Sequence, residues 1–276
     1  MTEATDQYAV FGNPIKHSKS PLIHQLFAQQ TKQSLDYTAQ LAETGQFADA
    51  VRNFIQHNGK GLNITVPFKE DAWQLATTHS NRARRAGAVN TLKLLDNNEL
   101  FGDTTDGVGL VNDLIHNHQL TLEDKDILII GAGGAVRGVL EALLEQQPAS
   151  LRIANRTAAK AQQLAQDFSD LGNIDGGGLD TIGDRAFDII INGTSASLQG
   201  DLPALPATIF KPGSCSYDMM YAAQKTVFMQ WSFDNGAEKV FDGLGMLVEQ
   251  AAEAFYIWRG IKPETVSVIK QVRDSL

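Results

Sequence analysis

At 276 residues the chain is long enough for two domains, each with its own core, and 43% hydrophobic with 20% charged residues is the balance of an ordinary globular protein. A formal net charge of −9 argues against general nucleic-acid binding, the single cysteine, Cys215, excludes an internal disulfide or a cysteine-rich zinc site, and the longest apolar run is too short to span a bilayer. The N-terminal stretch Met1-Thr2-Glu3-Ala4-Thr5-Asp6 lacks the basic and apolar regions of a signal peptide, so a reducing cytoplasm is the expected setting.

Tyr8 to Phe11 reads as a short strand ended by Gly12-Asn13-Pro14, and Pro21 opens a helix to about residue 33 with Leu22, Ile23, Leu26 and Phe27 as its apolar stripe. Ser20, just before Pro21, is placed as that helix's N-cap, which by itself accounts for it. Ser18 and Ser20, beside a helix N-terminus and near Lys16, also suit a small carboxylate. Residues 35–41 alternate as a strand, 46–56 form a helix with Phe47, Val51, Phe54 and Ile55 inward, and 61–66 form a strand stopped by Pro67. Alternation there puts Asn63 and Thr65 on one face and Leu62, Ile64 and Val66 on the other. Lys69 follows just past the strand end, either as a solvated surface group or, with Asn63 and Thr65 pointing the same way, as a candidate acid. Short helices over 69–75 and 81–86 precede a hairpin over 90–101 that turns at Asp96-Asn97-Asn98. Asn90, in Ala86-Gly87-Ala88-Val89-Asn90-Thr91, and Asp106, in Gly102-Asp103-Thr104-Thr105-Asp106-Gly107, are polar residues near small ones, a pattern that leaves room for a ligand.

From Gly107 a helix leads into a second pattern: strand 126–130, helix 136–146, strand 151–154, helix 158–168, strand 187–191, strand 214–218 and helix 226–235, with Gly176-Gly177-Gly178 read as a loop. Strand–helix alternation with short connections predicts an α/β chain whose second part is a Rossmann-type, doubly wound parallel sheet. The last helices, 243–258 and 263–275, lack a strand partner and are expected to return to the first domain. The expected division is therefore discontinuous: 1–106 with 243–276 as an α/β substrate domain, and 107–242 as the nucleotide-binding domain.

The strand Ile127-Leu128-Ile129-Ile130 runs directly into Gly131-Ala132-Gly133-Gly134-Ala135. Glycines there let backbone N–H groups approach a pyrophosphate, and the following helix N-terminus supplies partial positive charge. The third position of the G-x-G-x-x-G/A pattern is Val136, so helix and strand are expected to pack differently at that point. At the end of the next strand, where NAD proteins carry Asp or Glu, stands Asn155-Arg156-Thr157, with Lys160 one turn on. A guanidinium pairs with a ribose 2′-phosphate that a carboxylate would repel, which favours NADP(H) over NAD. Arg156 and Lys160 also fit a plain solvated helix start, and Arg156 could stack on an adenine. Thr194, in Asn192-Gly193-Thr194-Ser195, ends the third strand on the same edge, where ligands collect. The six histidines (17, 24, 57, 79, 116 and 118) show no paired ligand spacing, so no metal is expected.

Seven segments in order carry a family resemblance: Gly12-Asn13-Pro14-Ile15-x-His17-Ser18-x-Ser20-Pro21, Gly61-x-Asn63-Ile64-Thr65-Val66-Pro67-x-Lys69, Ala86-Gly87-Ala88-Val89-Asn90-Thr91, Asp106-Gly107-Val108-Gly109, Gly131-Ala132-Gly133-Gly134-Ala135, Asn155-Arg156-Thr157 and Asp242-Gly243-Leu244-Gly245-Met246-Leu247. Over essentially its whole length the chain resembles bacterial shikimate dehydrogenases. The resemblance implies that Ser18 and Ser20 hold a substrate carboxylate, that Asn63, Thr65, Asn90, Asp106 and Gln250 hold its hydroxyls and reacting oxygen, and that Lys69 is catalytic, paired with Asp106. It also implies Tyr221 near the carboxylate, Met219 and Gly243 along the nicotinamide, and a cofactor contact at Asn81, where relatives commonly carry an acid. On its helix Gln250 borders the apolar stripe, with Met246, Leu247, Glu253 and Ala254 as neighbours, so its amide needs a partner: a substrate hydroxyl or a backbone carbonyl. The implied activity is the reversible, NADPH-dependent reduction of 3-dehydroshikimate to shikimate, on the route to chorismate and the aromatic amino acids. The alternatives are an NAD-using quinate/shikimate dehydrogenase and a non-catalytic NADPH-sensing module. The expected partner is a small-molecule substrate, with neither nucleic acid nor membrane, for a monomer or homodimer.

Overall fold

Residues 5–276 are described by a computed structural model in which the chain divides into two compact units, 1–109 with 248–275 and 110–247. The first four residues of the N-terminal stretch read above lie outside the described residues. In the first unit β1 (Asp6–Gly12), α1 (Ser20–Thr31), β2 (Leu35–Leu41), α2 (Phe47–Gln56), β3 (Gly59–Ile64), α3 (Lys69–Leu75), β4 (Thr78–His79), α4 (Asn81–Ala86), β5 (Thr91–Leu94) and β6 (Leu100–Asp103) follow in order. They form a mixed sheet ordered β2-β1-β3-β5-β6-β4, in which β1 runs parallel to both neighbours and β5 runs antiparallel to both β3 and its hairpin partner β6. Its core gathers the inward residues of strands and helices alike: Phe11, Phe47, Val51, Leu62, Ile64, Phe68 and Leu92.

Two local expectations change here. Strand β3 ends at Ile64, not at Val66, because Pro67 has no N–H with which to extend the ladder. Thr65 N–H still donates to Phe11 (2.9 Å) and the Val66 carbonyl accepts from Asn13 (3.0 Å), but the Thr65 carbonyl turns to Phe68 (3.1 Å), and Val66 is 62% exposed instead of sharing the core face of Leu62 and Ile64. Helix α1 begins at Ser20 itself. Lys19 precedes it with helical dihedrals (φ −86°, ψ −5°) and no side-chain cap, so Ser20 is not the N-cap; its N–H instead donates to Ser18 Oγ (3.3 Å).

The chain then passes through α5 (Asp106–Asn112), continued by a π-helical turn over Asp113–Asn117, into β7 (Asp126–Ile130), α6 (Gly134–Leu144), β8 (Ser150–Asn155), α7 (Ala158–Asp167), β9 (Ile174–Gly178), β10 (Phe187–Asn192), β11 (Phe210–Asp218), α8 (Val227–Asp234) and β12 (Lys239–Asp242). α9 (Leu244–Arg259) and α10 (Val266–Asp274) complete it, with residues 248–275 belonging to the first unit. The second sheet is parallel throughout, ordered β12-β11-β10-β7-β8-β9, and the chain order reverses between β7 and β10. That reversal is the switch point of a doubly wound Rossmann sheet. Both faces of β7 are covered: Ile127 and Ile129 join one apolar cluster, Leu128 and Ile130 another. This explains why the strand reads as an uninterrupted apolar run.

The glycine triplet corrects another expectation. Gly176, Gly177 and Gly178 are not a loop but most of β9, the edge strand paired with Ile153, Ala154 and Asn155 of β8. A Cβ at these positions would run into the Ala161 backbone, the Arg152 guanidinium and Thr181 hydroxyl, and the Asp180 carboxylate, so glycine admits these groups close to the strand. Helix α6 likewise begins at Gly134, earlier than the expected 136. Among the described residues no helix is long and apolar enough to cross a membrane.

Candidate active site

In the first unit the β-ladder itself assembles a polar cluster. Ile64 N–H donates to the Asn90 carbonyl (2.8 Å), Asn90 N–H to Asp103 (3.0 Å), and Val89 N–H to Lys69 (2.9 Å). These backbone bonds hold the end of β3, the start of α3, the start of β5 and the segment after β6 at one edge of the sheet. There Lys69 Nζ lies 2.5 Å from Asp106 Oδ2, with the two side chains 25% and 12% exposed. Asn90 Nδ2 donates to Asp106 Oδ1 and to Thr105 Oγ1, both at 2.9 Å, and reaches Gln250 Oε1 at 3.4 Å. Asn63 Oδ1 accepts from the Tyr37 hydroxyl (2.8 Å), while its Nδ2 donates to the Asn90 carbonyl (3.2 Å) and to Thr91 Oγ1 (3.1 Å). Ser20 lies beside the same Tyr37 hydroxyl, whose pKa burial pushes well above its usual value, with Ser20 pulling it back.

Asn63, Lys69, Asn90, Asp106 and Gln250 therefore share one hydrogen-bonded network, which Tyr37 extends to Ser20 and hence to Ser18. Thr65 stands just beyond β3, and its hydroxyl makes no hydrogen bond among the described residues. Chemically, the cluster offers an ammonium held by a carboxylate and partly open to solvent, next to amide and hydroxyl groups. That combination can meet developing negative charge on an oxygen. Asn81 is elsewhere: it is the first residue of α4, exposed, and its Oδ1 accepts from Arg84 (2.6 Å).

In the second unit the expected cofactor residues collect at the carboxyl ends of the parallel strands. Gly131 has φ +110°, where a side chain would be strained, and a Cβ there would crowd Thr194 Cγ2 (3.2 Å) and the Gly193 carbonyl (3.4 Å). Gly133 precedes α6 without a side-chain cap, and a Cβ on Gly133 or Gly134 would meet nothing within 4 Å. Gly133, Gly134 and Ala135 are exposed, Ala132 half-buried, so the first-turn N–H groups of α6 face open space. Val136, by contrast, is fully buried, and its side chain occupies the space where Gly193 has no Cβ. Thr194 bonds through N–H (3.1 Å) and hydroxyl (2.8 Å) to Asn192 Oδ1, and Met219 N–H donates to the Asn192 carbonyl (2.9 Å). Gly243 abuts the Met219 carbonyl so closely that no Cβ would fit. At the end of β8, Asn155 Nδ2 donates to the Thr157 carbonyl (3.0 Å). The side chains of Arg156 and Lys160 are exposed and have no hydrogen-bond or ion-pair partner among the described residues. Tyr221, half-buried, has its phenol pKa raised by burial and then by the Asp242 carboxylate, which keeps it a hydrogen-bond donor. It belongs to this unit, whereas the other expected substrate residues belong to the first, and Asn81 is likewise separated by unit from the other expected cofactor residues.

Three members of the first-unit network, Tyr37, Thr91 and Thr105, were not singled out from the sequence. Thr91 and Thr105 lie beside residues that were, and the small-residue setting of Asn90 and Asp106 was the available signal. Tyr37 has none, since its partner Asn63 is reached only through the sheet.

Residues 10–92 match the shikimate dehydrogenase substrate binding domain, 113–199 the shikimate/quinate 5-dehydrogenase family, and 243–273 the shikimate 5′-dehydrogenase C-terminal domain. The chain is 55% identical over 272 residues to a protein of Cellvibrio japonicus named shikimate dehydrogenase (NADP(+)), covering 99% of this chain and 98% of that one. A protein of the same name from Vibrio campbellii is 55% identical over 276 residues, covering 100% and 99%. Among solved structures, the Ael1 enzyme of Pseudomonas putida superposes with a TM-score of 0.91 at 43% identity, covering 97% of this chain and 98% of that one. Shikimate 5-dehydrogenase of Thermus thermophilus, solved in complex with NADP(H) and shikimate, superposes with a TM-score of 0.87 at 30% identity, covering 99% and 100%.

Proposed function

The chain belongs to the shikimate dehydrogenase family, and from that premise we propose that it catalyses the reversible, NADPH-dependent reduction of 3-dehydroshikimate to shikimate, a step towards chorismate and the aromatic amino acids. The observation that carries the reading is the Lys69–Asp106 pair at 2.5 Å, set among Asn63, Asn90 and Gln250. Reduction of a ring carbonyl leaves negative charge on its oxygen. The Lys69 ammonium stabilises that charge and supplies a proton, while Asp106 holds the ammonium in place and accepts from a neighbouring substrate hydroxyl. Asn63, Thr65, Asn90 and Gln250 orient the substrate's hydroxyls, and Ser18, Ser20 and the Tyr221 hydroxyl hold its carboxylate.

The residues present fit the dinucleotide. The turn Gly131-Ala132-Gly133 and the uncapped α6 N-terminus at Gly134 and Ala135 suit a pyrophosphate, and Arg156 and Lys160, whose side chains are unpaired among the described residues, suit a 2′-phosphate together with Asn155 and Thr157. Thr194, Met219 and Gly243 line the nicotinamide side, and Asn81 is a further cofactor contact. When bound, the cofactor supplies the hydride in one direction and accepts it in the other. The reading includes a monomer or homodimer in a reducing cytoplasm. A solitary Cys215, buried and with its thiol pKa pushed up to about 12 by burial, is compatible with that setting.

The test is direct. The purified chain is given shikimate with NADP⁺, shikimate with NAD⁺, and quinate with each, and formation of reduced cofactor is followed. Shikimate-dependent reduction of NADP⁺ well above that of NAD⁺ is expected; no shikimate-dependent turnover with either cofactor sinks the assignment.

A further inference from the structure

Thr91 begins β5, is fully buried, and lies across the ladder from Asn63. Its hydroxyl accepts from Asn63 Nδ2 (3.1 Å) and donates to Asn90 Oδ1 (2.9 Å). Neither direction can reverse. Asn63 Nδ2 also donates to the Asn90 backbone carbonyl (3.2 Å), which only accepts, so the nitrogen end of Asn63 faces Thr91. Asn90 Oδ1 also takes the Thr105 backbone N–H (2.9 Å), which only donates, so the oxygen end of Asn90 faces Thr91. A hydroxyl between a donor and an acceptor must take one bond and give the other, and its single proton suffices.

The consequences reach the reacting pair. Both protons of the Asn63 amide are engaged, and Tyr37 takes one lone pair of its oxygen (2.8 Å), leaving an acceptor as what Asn63 offers a ligand. The nitrogen of Asn90 is turned to Asp106 Oδ1 (2.9 Å), so that Asp106 meets Lys69 with its other oxygen. We propose that Thr91 is a positioning residue: its buried hydroxyl couples the Asn63 and Asn90 amides, setting Asn63 to select a substrate hydroxyl and Asn90 to hold Asp106 against Lys69. This rests on Lys69 and Asp106 being the reacting pair of the proposed dehydrogenase. Thr91 itself touches no reacting atom.

Thr91→Val keeps the shape and removes the hydroxyl, while Thr91→Ser keeps the hydroxyl and removes a methyl. Expected for Thr91→Val is a loss of kcat for shikimate oxidation on the order of 10- to 100-fold, the cost of slight misplacement in a catalytic cluster, with KM for NADP⁺ unchanged. Thr91→Ser should lie much closer to the wild type than to Thr91→Val. Rates are expressed per folded molecule, because a purely structural threonine would lower Tm without changing kcat per folded site. In parallel, nitrogen-15 spectra follow solvent exchange of the Asn63 and Asn90 side-chain NH₂ groups. Exchange should be slow in the wild type and Thr91→Ser, and faster in Thr91→Val. If Thr91→Val does not fold, Thr91→Ala replaces it in both measurements. Unchanged kcat in the hydroxyl-free variant, an equal loss in Thr91→Ser, or unchanged NH₂ exchange overturns the inference. A wild-type chain that does not oxidise shikimate removes the reading of function instead, and the exchange measurement then decides whether Thr91 orders the two amides.

Discussion

His24 makes the stability of the first unit depend on pH in a calculable way. The side chain is fully buried on α1, and neither ring nitrogen has a hydrogen-bond partner among the described residues. Its ring stacks on Tyr37 (centroids 4.1 Å apart, planes 7° apart), meets Phe27 edge-on at 5.9 Å and lies 5.2 Å from Trp258. Burial pushes its pKa down to about 3, outweighing the adjacent Asn63 amide, which pulls the other way. In the unfolded chain the imidazole titrates near its ordinary value of about 6.5. Between those two values the unfolded state binds a proton that the native state refuses, so stability rises with pH, and it is lost as pH falls below about 6.5. At about 1.4 kcal/mol per pH unit in that window, His24 alone removes about 2 kcal/mol between pH 7 and pH 5. His24→Phe keeps an aromatic ring in the stack and abolishes the titration. Urea unfolding of both proteins at pH 7, 6 and 5 cancels every other titrating group in the difference. Whatever offset the larger ring introduces at pH 7, the variant should gain about 2 kcal/mol on the wild type by pH 5. A difference that stays flat across the range would show that the native protein accommodates the imidazolium, and the burial argument would fail.

Lys69→Ala should lower kcat on the order of 10²–10³ while leaving the shikimate KM nearly unchanged, because the ammonium acts on charge that develops during reaction; steady-state kinetics with near-normal kcat would take Lys69 out of the chemistry. Arg156→Ala should raise KM for NADP⁺ by roughly 10-fold or more, the loss of charge-assisted bonds to a 2′-phosphate, and leave the weak use of NAD⁺ unaltered; parallel losses with both cofactors would remove Arg156 from 2′-phosphate recognition. Gly193→Ala should cost about 1–3 kcal/mol in urea unfolding, since the new methyl would overlap the Val136 side chain. Adding Val136→Ala to that variant should recover part of the loss, and strictly additive costs would contradict the packing described.

What was legible in the chain is what neighbours in sequence decide. The run Ile127–Ile130 into Gly131 was readable because a strand covered on both faces must be apolar at every position and a turn after it must tolerate positive φ. Lys69 is legible from its place just past a strand whose Asn63 and Thr65 share a face, Asp106 from its small neighbours, and the ladder that joins β3, β5 and β6 brings them together. The glycines at 176–178 were misread because their local meaning is a turn. Their cause lies elsewhere in the chain, in the Ala161 backbone, Arg152 and Asp180 that occupy the space a side chain would need. Tyr37 carries no local signal for the same reason, and Thr91, although beside Asn90, takes its role from the register that pairs it with Asn63. Val136 shows how such distant causes can be recovered. As a single departure from the glycine fingerprint it implies that helix and strand pack differently, and the difference is that Val136 is fully buried while Gly193, just past β10, supplies the space. The small residue that lets helix and sheet approach stands on the opposing element. A smaller residue at position 136 should therefore relieve the worst clash of a methyl at 193, with Met219 Sδ (3.2 Å) and the Ile130 carbonyl (3.3 Å) still close, and the glycine fingerprint is better read as a shared volume across two elements than as a string of positions on one.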